Sequence, residues 1–419
     1  MTIKITLPSD KSITHRAFIL SALANGTSKL DNVGQGADLR STRSVLAQLG
    51  VHISRENQSY LVQGKGFLNP FQKSDLPLDC GNSGTTSRLM MGLLCTQAFE
   101  STLIGDASLS RRPMLRLTQK LNQMGALCES ASQGSLPVQI FPQRSKIKSG
   151  HYHTNSSSAQ IKSSMLLAGL YAQDLVSITE NLLSRDHTER LFQSLGIGIQ
   201  RNHLTLTLSP ITQAIEPLNL AIPGDFSSAC FWIASSLISH RSLWIENVNL
   251  NPTRTGFLDI ITQMGGQYRI HDLHLHYGEE VGNLEIFPSE LSGIKIGEEL
   301  ALRALDELPL VALLASLSKG QTEVRGAKEL RVKESDRIEA MTSNLRKLGI
   351  QIESLDDGWL IEGGELNGGN VDSFEDHRIA MTFRIARLRA KGKIEIHDED
   401  CAQISYPEFN AQFDQIFES

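Results

Sequence analysis

No CxxC pair occurs among the five cysteines of this 419-residue chain, which lie at 80, 95, 128, 230 and 401. An odd count at wide spacing argues against a disulfide framework and suits reduced thiols in a reducing compartment. Long hydrophobic runs are scarce too. The longest, such as 307–317, fall well short of the ~20 residues a spanning helix needs and have charges nearby. The opening MTIKITLPSDK has neither an apolar h-region nor a cleavage pattern, so no leader is expected and the chain reads as cytoplasmic. Positive charge is not in excess either. The formal net charge is −6, which disfavours nucleic acid or an anionic membrane surface as a partner. Any affinity for anions has to come from cations clustered locally.

Familiar cofactor signatures are also missing. No GxxxxGK[ST] occurs, and GQG at 34–36 is not a dinucleotide fingerprint. HYH (151–153) and HDLHLH (271–276) place imidazoles on one strand face. No matching cysteine or carboxylate spacing accompanies them, so a solvated strand face is the better reading than zinc. Asp186 and His187 have no nucleophile beside them that would suggest a hydrolase triad.

What the sequence does contain is a repeat. An amphipathic helix ending in Leu/Met-Gly and followed by an extended stretch recurs as LAQLGVHI, LNQMGALC, FQSLGIGI, ITQMGGQY and LRKLGIQI. Its glycines are Gly50, Gly125, Gly196, Gly265 and Gly349. A glycine just past a helix admits the left-handed conformation that stops it. A second phrase alternates with the first: short polar residues leading into an apolar helix at 10–24, 82–98, 157–172, 225–239, 306–318 and 376–390. These helices are apolar nearly all round and should be buried, whereas the Leu-Gly helices carry polar faces and should lie outside.

Chance recurrence in an unrelated α/β chain is the plain alternative, and two series running in phase argue against it. The sixth outer helix is expected in YPEFNAQFDQIF. IKITL at 3–7 is a strand with no helix before it, so the chain ends are expected to meet and complete the sixth unit. Three units per half predict an α/β (α+β) fold of two similar domains, with buried central helices and sheets outside. The boundary is expected in NLAIPGDFSSA, giving domains at 9–223 and at 1–8 with 224–419.

Chemistry-bearing residues gather where the buried helices begin. PSDKSITHRAF places Lys11, Ser12 and Arg16 there, and GNSGTTSR offers a small-residue loop. TNSSSAQIKSS brings Ser158, Gln160 and Lys162; LDELPLV brings Asp306 and Glu307; EDHRIAM brings His377 and Arg378. Helix starts expose N–H groups and a partial positive charge, so such ends drawn to one cleft between the domains would trap anions. Ordinary N-capping accounts for the hydroxyls and carboxylates. It does not account for Lys11, Arg16 and Arg378, which oppose the helix dipole and call for an anionic partner. Two segments before outer helices add Arg111 and Arg112 (SLSRRPM) and Lys333, Glu334 and Arg337 (LRVKESDRI). Lys333 and Arg337 share a helix face with a carboxylate close by, a combination suited to proton transfer near a bound anion.

This ordered set, with SRDHTER and DELP, resembles the 5-enolpyruvylshikimate-3-phosphate (EPSP) synthase family from residue 4 to about residue 417. The resemblance implies two domains, each of three βαβαββ-type units, with no metal or other cofactor. It implies transfer of the enolpyruvyl group of phosphoenolpyruvate to the 5-hydroxyl of shikimate 3-phosphate, by a monomer. By the same resemblance, Lys11, Ser12, Arg16, Ser157, Ser158, Gln160, Arg185, Asp306 and Lys333 would serve shikimate 3-phosphate. Lys11, Gly84, Arg112, Gln160, Lys333, Arg337 and Arg378 would serve phosphoenolpyruvate. Asp306, Glu334 and Lys11 would be catalytic, Asp306 taking the hydroxyl proton and Glu334 acting at the methylene carbon.

Gly84 falls at the family's glyphosate-sensitive position, so glyphosate is expected to enter. SAQ and SRDHTE resemble a divergent bacterial subgroup, and Ile404 in CAQISYP stands where another subgroup has a lysine. The related UDP-N-acetylglucosamine 1-carboxyvinyltransferase is disfavoured, because DASLSRRPM lacks the cysteine expected in that loop. A polyanion-binding clamp is disfavoured by the net charge.

Overall fold

A computed structural model describes residues 3–68, 70–155 and 157–417. Contacts divide the chain into two compact units. The N-terminal unit is Ser9–Ile222 with Tyr277–Glu279, and the C-terminal unit is Met1–Pro8, Pro223–His276 and Glu280–Ser419. Each has its own hydrophobic core.

Three central helices fill each core. In the N-terminal unit they are Lys11–Leu23, Gly84–Leu94 and Ala159–Gly169. In the C-terminal unit they are Phe226–Ser239, Leu308–Ser316 and His377–Ala386. Every residue from Ile13 to Leu23 is buried, as is every residue of Leu308–Ser316, so the all-round apolar pattern does mark interior helices. Gly92 shows how closely these helices approach: a Cβ there would stand 2.2 Å from the Ser164 carbonyl oxygen.

The Leu/Met-Gly phrases close the outer helices with one repeated motif. After Ala37–Gln48, the Gly50 N–H donates to Ala47 O and the Val51 N–H to Leu46 O, at 2.9 and 3.0 Å. The same crossed pair recurs around Gly125, Gly196, Gly265 and Gly349, all five glycines having φ between 74° and 99°. Only glycine adopts that conformation without cost, which is why the phrase repeats.

The sheets also repeat. In each four-stranded sheet a short leading strand pairs in parallel with the strand that follows a central helix, and two antiparallel strands complete it. Alternating burial, as at Leu206 and Leu208 in Thr205–Leu208, keeps one face on the core.

The expectation for the chain's first strand needs correcting. Ile3–Ile5 does not complete the sixth unit. It pairs in parallel with Leu243–Asn249 of the fourth, Ile3 opposite Leu243. Asn219–Ala221, which in chain order leads the fourth unit, pairs instead with Asn25–Asp31 of the first. Leading strands of the first and fourth units are thus exchanged. The sixth sheet holds two strands among the described residues, Gly369–Asp372 and Ile394–His397. The sixth outer helix forms as Phe409–Phe417, with Phe409 and Phe413 buried.

Candidate active site

In the N-terminal unit, Asp10 caps the first central helix by accepting from the Ile13 N–H at 2.8 Å. Lys11 Nζ lies 2.7 Å from Asp38 on the outer helix Ala37–Gln48. One turn further, buried Arg16 donates to Thr188 Oγ1 at 2.7 Å, Ser163 Oγ at 2.9 Å and the Ser12 carbonyl at 2.9 Å. Its hydrogen bonds go to two hydroxyls and a carbonyl, so among the described residues no carboxylate cancels its charge at contact distance. Burial lowers its pKa to about 10, with Arg185 adding to that and Glu189, Asp10 and Glu279 opposing it. Ser12, Arg16 and Arg185 therefore share one electrostatic neighbourhood, suited to an anion.

A second group forms around the next two helix starts. Ser83 caps Gly84–Leu94, and Ser158 caps Ala159–Gly169 beside half-buried Ser157. Gln160 donates to Thr85 Oγ1 at 3.0 Å and accepts from Arg88 at 2.5 Å. Arg112 donates to Asn82 Oδ1 at 2.9 Å. A Cβ on Gly84 would stand 3.1 Å from Arg88 Nη1 and 3.3 Å from Arg112 Nη1, so both guanidiniums lie over this glycine. A hydroxyl chain runs from buried His15 through Thr42 and Thr86 to Ser83, with steps of 2.6, 2.7 and 2.7 Å, and links this group to the first central helix.

In the C-terminal unit, Asp306, Lys333, Glu334, Arg337 and Arg378 come together. One oxygen of Asp306 has Lys333 Nζ at 3.4 Å and Arg337 Nη1 at 3.5 Å. Arg337 also pairs with Glu334 at 2.7 Å and with Asp376 at 2.8 Å. Burial disfavours the Arg337 charge, but Asp376, Glu334 and Asp306 outweigh it and hold the pKa well above its ordinary value. Arg378 donates to the Asp306 carbonyl at 3.1 Å and lies 3.6 Å from buried Glu307. Cations and carboxylates interleave here, so guanidiniums are held in place while acid and base groups sit beside them.

Some residues escaped the sequence reading. Asp38, Arg88 and Asp376 partner the singled-out side chains. Arg254, 3 % exposed, lies 3.8 Å from Asp306 and 3.7 Å from Glu307. A signal for Arg254 existed: NPTRTGF precedes an outer helix, Gly256–Met264, as SLSRRPM and SRDHTER do. Ile404 is partly buried against the C-terminal core, so its side chain serves packing. His151 and His153 have ring centroids 4.9 Å apart, with His151 bonded to Thr179. Among the described residues, no group of three His, Cys, Asp or Glu is placed to hold a metal.

The profile of the EPSP synthase family, described as 3-phosphoshikimate 1-carboxyvinyltransferase, matches residues 1–413. A relative of that name from Thermoanaerobacter sp. (strain X514) is 42% identical over 98% of this chain and 97% of its own length. Another from Vesicomyosocius okutanii is 43% identical over 98% and 94%. Among solved structures, the EPSP synthase of Acinetobacter baumannii superposes with a TM-score of 0.87 at 36% identity, covering 98% of this chain and 95% of that one. The enolpyruvyl transferase NikO of Streptomyces tendae has a TM-score of 0.74 at 16% identity, covering 98% and 93%, a likeness of fold.

Proposed function

This chain belongs to the EPSP synthase family, and from that premise we propose that it transfers the enolpyruvyl group of phosphoenolpyruvate to the 5-hydroxyl of shikimate 3-phosphate, releasing phosphate. The observation that carries the reading is the interleaved set Asp306, Lys333, Glu334, Arg337 and Arg378, which holds acid, base and phosphate-binding groups together.

Protonation of the methylene carbon gives C2 of phosphoenolpyruvate cationic character, and the hydroxyl oxygen adds there. The tetrahedral intermediate then loses phosphate and a methyl proton, which restores the double bond. Both steps need a proton donor and acceptor at neighbouring atoms, so two carboxylates in different surroundings are useful. We assign Asp306 to the hydroxyl proton and Glu334 to the methylene carbon. Glu334 is bonded to Arg337, which fixes its aim. Lys11, like Lys333, is a cation assigned to both substrates. Ser12, Arg16, Ser157, Ser158, Gln160, Arg185, Asp306 and Lys333 are assigned to shikimate 3-phosphate. Gly84, Arg112, Gln160, Lys333, Arg337 and Arg378 are assigned to phosphoenolpyruvate. Guanidiniums suit both anions because two N–H groups meet two oxygens, fixing orientation before reaction. A monomeric state and a cytoplasmic location belong to the same proposal.

Phosphate release from phosphoenolpyruvate, with and without shikimate 3-phosphate, tests the reading. Release should require shikimate 3-phosphate and should not be supported by UDP-N-acetylglucosamine. Release indifferent to shikimate 3-phosphate, or none at all, overturns it. Lys11→Met should abolish turnover with the fold intact by circular dichroism.

A further inference from the structure

Arg254 lies in the loop before the outer helix Gly256–Met264, 3 % exposed. It is surrounded by the C-terminal unit's acidic groups. Nη1 is 3.8 Å from Asp306 Oδ2, and Nη2 is 3.7 Å from Glu307 and 4.0 Å from Asp225. Nη2 also donates to Ser227 Oγ at 2.5 Å, and Ser227 in turn donates to Glu307. Lys333 and Arg337 approach the other oxygen of Asp306, Oδ1. The Asp306 carboxylate is thus flanked by cations on both oxygens, and its backbone carbonyl accepts from Arg378.

The repeat offers a second, independent pointer. Arg112, Arg185 and Lys333 each stand within three residues of the N-cap of an outer helix, at Met114, Asp186 and Asp336. Arg254 precedes the cap Thr255 of the fourth unit's outer helix. It fills the slot from which three other units deliver a cation assigned to substrate.

We propose that Arg254 is a positioning residue for the reaction, orienting Asp306 and holding it ionised so that it is ready to accept the hydroxyl proton. This rests on the role of Asp306 given above. A purely structural alternative is that Arg254 only neutralises buried Glu307. The two differ in a measurable way. A cation next to a carboxylate lowers its pKa by roughly 1–3 units. Removing Arg254 should therefore raise the pKa of Asp306, even though Lys333 and Arg337 remain. Glu307, Glu334, Asp225, Cys230, Asp259, Arg303, Asp376, His377 and Arg378 are other charged or titratable groups of the elements packed around Arg254 and Asp306.

The test compares four proteins at saturating phosphoenolpyruvate and shikimate 3-phosphate: wild type, Arg254→Lys, Glu307→Gln, and the charge-balanced Arg254→Gln/Glu307→Gln. The double variant leaves no uncompensated Glu307, so the test does not depend on Arg254→Gln folding by itself. Relative to Glu307→Gln, in the double variant kcat should fall about tenfold and its acid limb should move up by roughly one pH unit. KM values should change less, and Arg254→Lys should recover part of both effects. An acid limb of the double variant that coincides with that of Glu307→Gln, or a further loss confined to KM, overturns the inference. Wild-type protein that releases no phosphate with shikimate 3-phosphate overturns the functional reading instead.

Discussion

Arg337 Nε lies 2.8 Å from Asp376 Oδ2, and the two side chains are 1% and 0% exposed. Asp376 therefore depends on Arg337 to stay charged in the interior, whereas Arg337 has Glu334 and Asp306 as well. Burial pushes the Asp376 carboxyl up, but Arg337 and His377 together outweigh it and its pKa falls below the ordinary value. Asp376 also caps the helix His377–Ala386.

Arg337→Met should cost about 3–5 kcal/mol of stability, because it leaves a buried carboxylate without a cation. Asp376→Asn should cost less, since Glu334 still pairs with Arg337. The depressed pKa of Asp376 sets the sign with pH. Its contribution is complete above the unfolded value near pH ~4 and fades as pH falls through the folded one. Urea unfolding between pH 5 and pH 3 should show that loss in wild type and a shallower slope in Asp376→Asn; equal slopes would contradict the assignment.

His15 offers a test at milder acidity. It is fully buried, and burial lowers its pKa from 6.5 to about 3. Between those values the unfolded chain binds a proton that the folded one refuses. Stability should then fall by up to about 1.4 kcal/mol per pH unit as pH drops below the unfolded value. His15→Gln keeps a polar partner for Thr42 and should lose part of that slope between pH 6.5 and pH 4.5. An unchanged slope would place the acid sensitivity elsewhere.

The six central helices and five Schellman ends were legible in the sequence because their signals are local. A short polar residue caps, an apolar run buries, and a glycine stops the outer helix. The exchange of leading strands was not legible. Ile3–Ile5 and Asn219–Ala221 are three residues each, and nothing within them says which sheet they join. Of the site, helix-start residues such as Lys11 and Arg16 could be read from their conflict with the helix dipole. The hydroxyls that hold Arg16, Ser163 and Thr188, lie 147 and 172 residues away, and only packing brings them in.

Lys162 has no exposed side-chain surface and pairs with Glu180 at 2.9 Å and Glu189 at 2.7 Å. Its Nζ also lies 3.3 Å from the Ser184 carbonyl, next to Arg185. Lys162→Met should cost about 3 kcal/mol, because Glu180 and Glu189 lose their buried cation and keep only Arg201, at 3.6 and 2.8 Å. Because it loosens the segment carrying Arg185, KM for shikimate 3-phosphate should rise more than KM for phosphoenolpyruvate. Equal changes in the two would make Lys162 a stability residue alone.

Gly84→Ala separates stability from binding. Gly84 is the first residue of its helix, and its φ lies outside the left-handed range, so alanine meets no backbone penalty and unfolding should be unchanged or slightly harder. The new Cβ instead presses on Arg88 Nη1 and Arg112 Nη1, at 3.1 and 3.3 Å, which must move by a few tenths of an ångström. Arg112 is assigned to phosphoenolpyruvate, so KM for that substrate should rise by about tenfold, a cost near 1.4 kcal/mol, while kcat changes little. Glyphosate, expected from the family resemblance to enter the same place, should inhibit wild type and lose more affinity than phosphoenolpyruvate does in the variant. Unchanged KM and unchanged inhibition in Gly84→Ala would mean that these guanidiniums do not touch either anion.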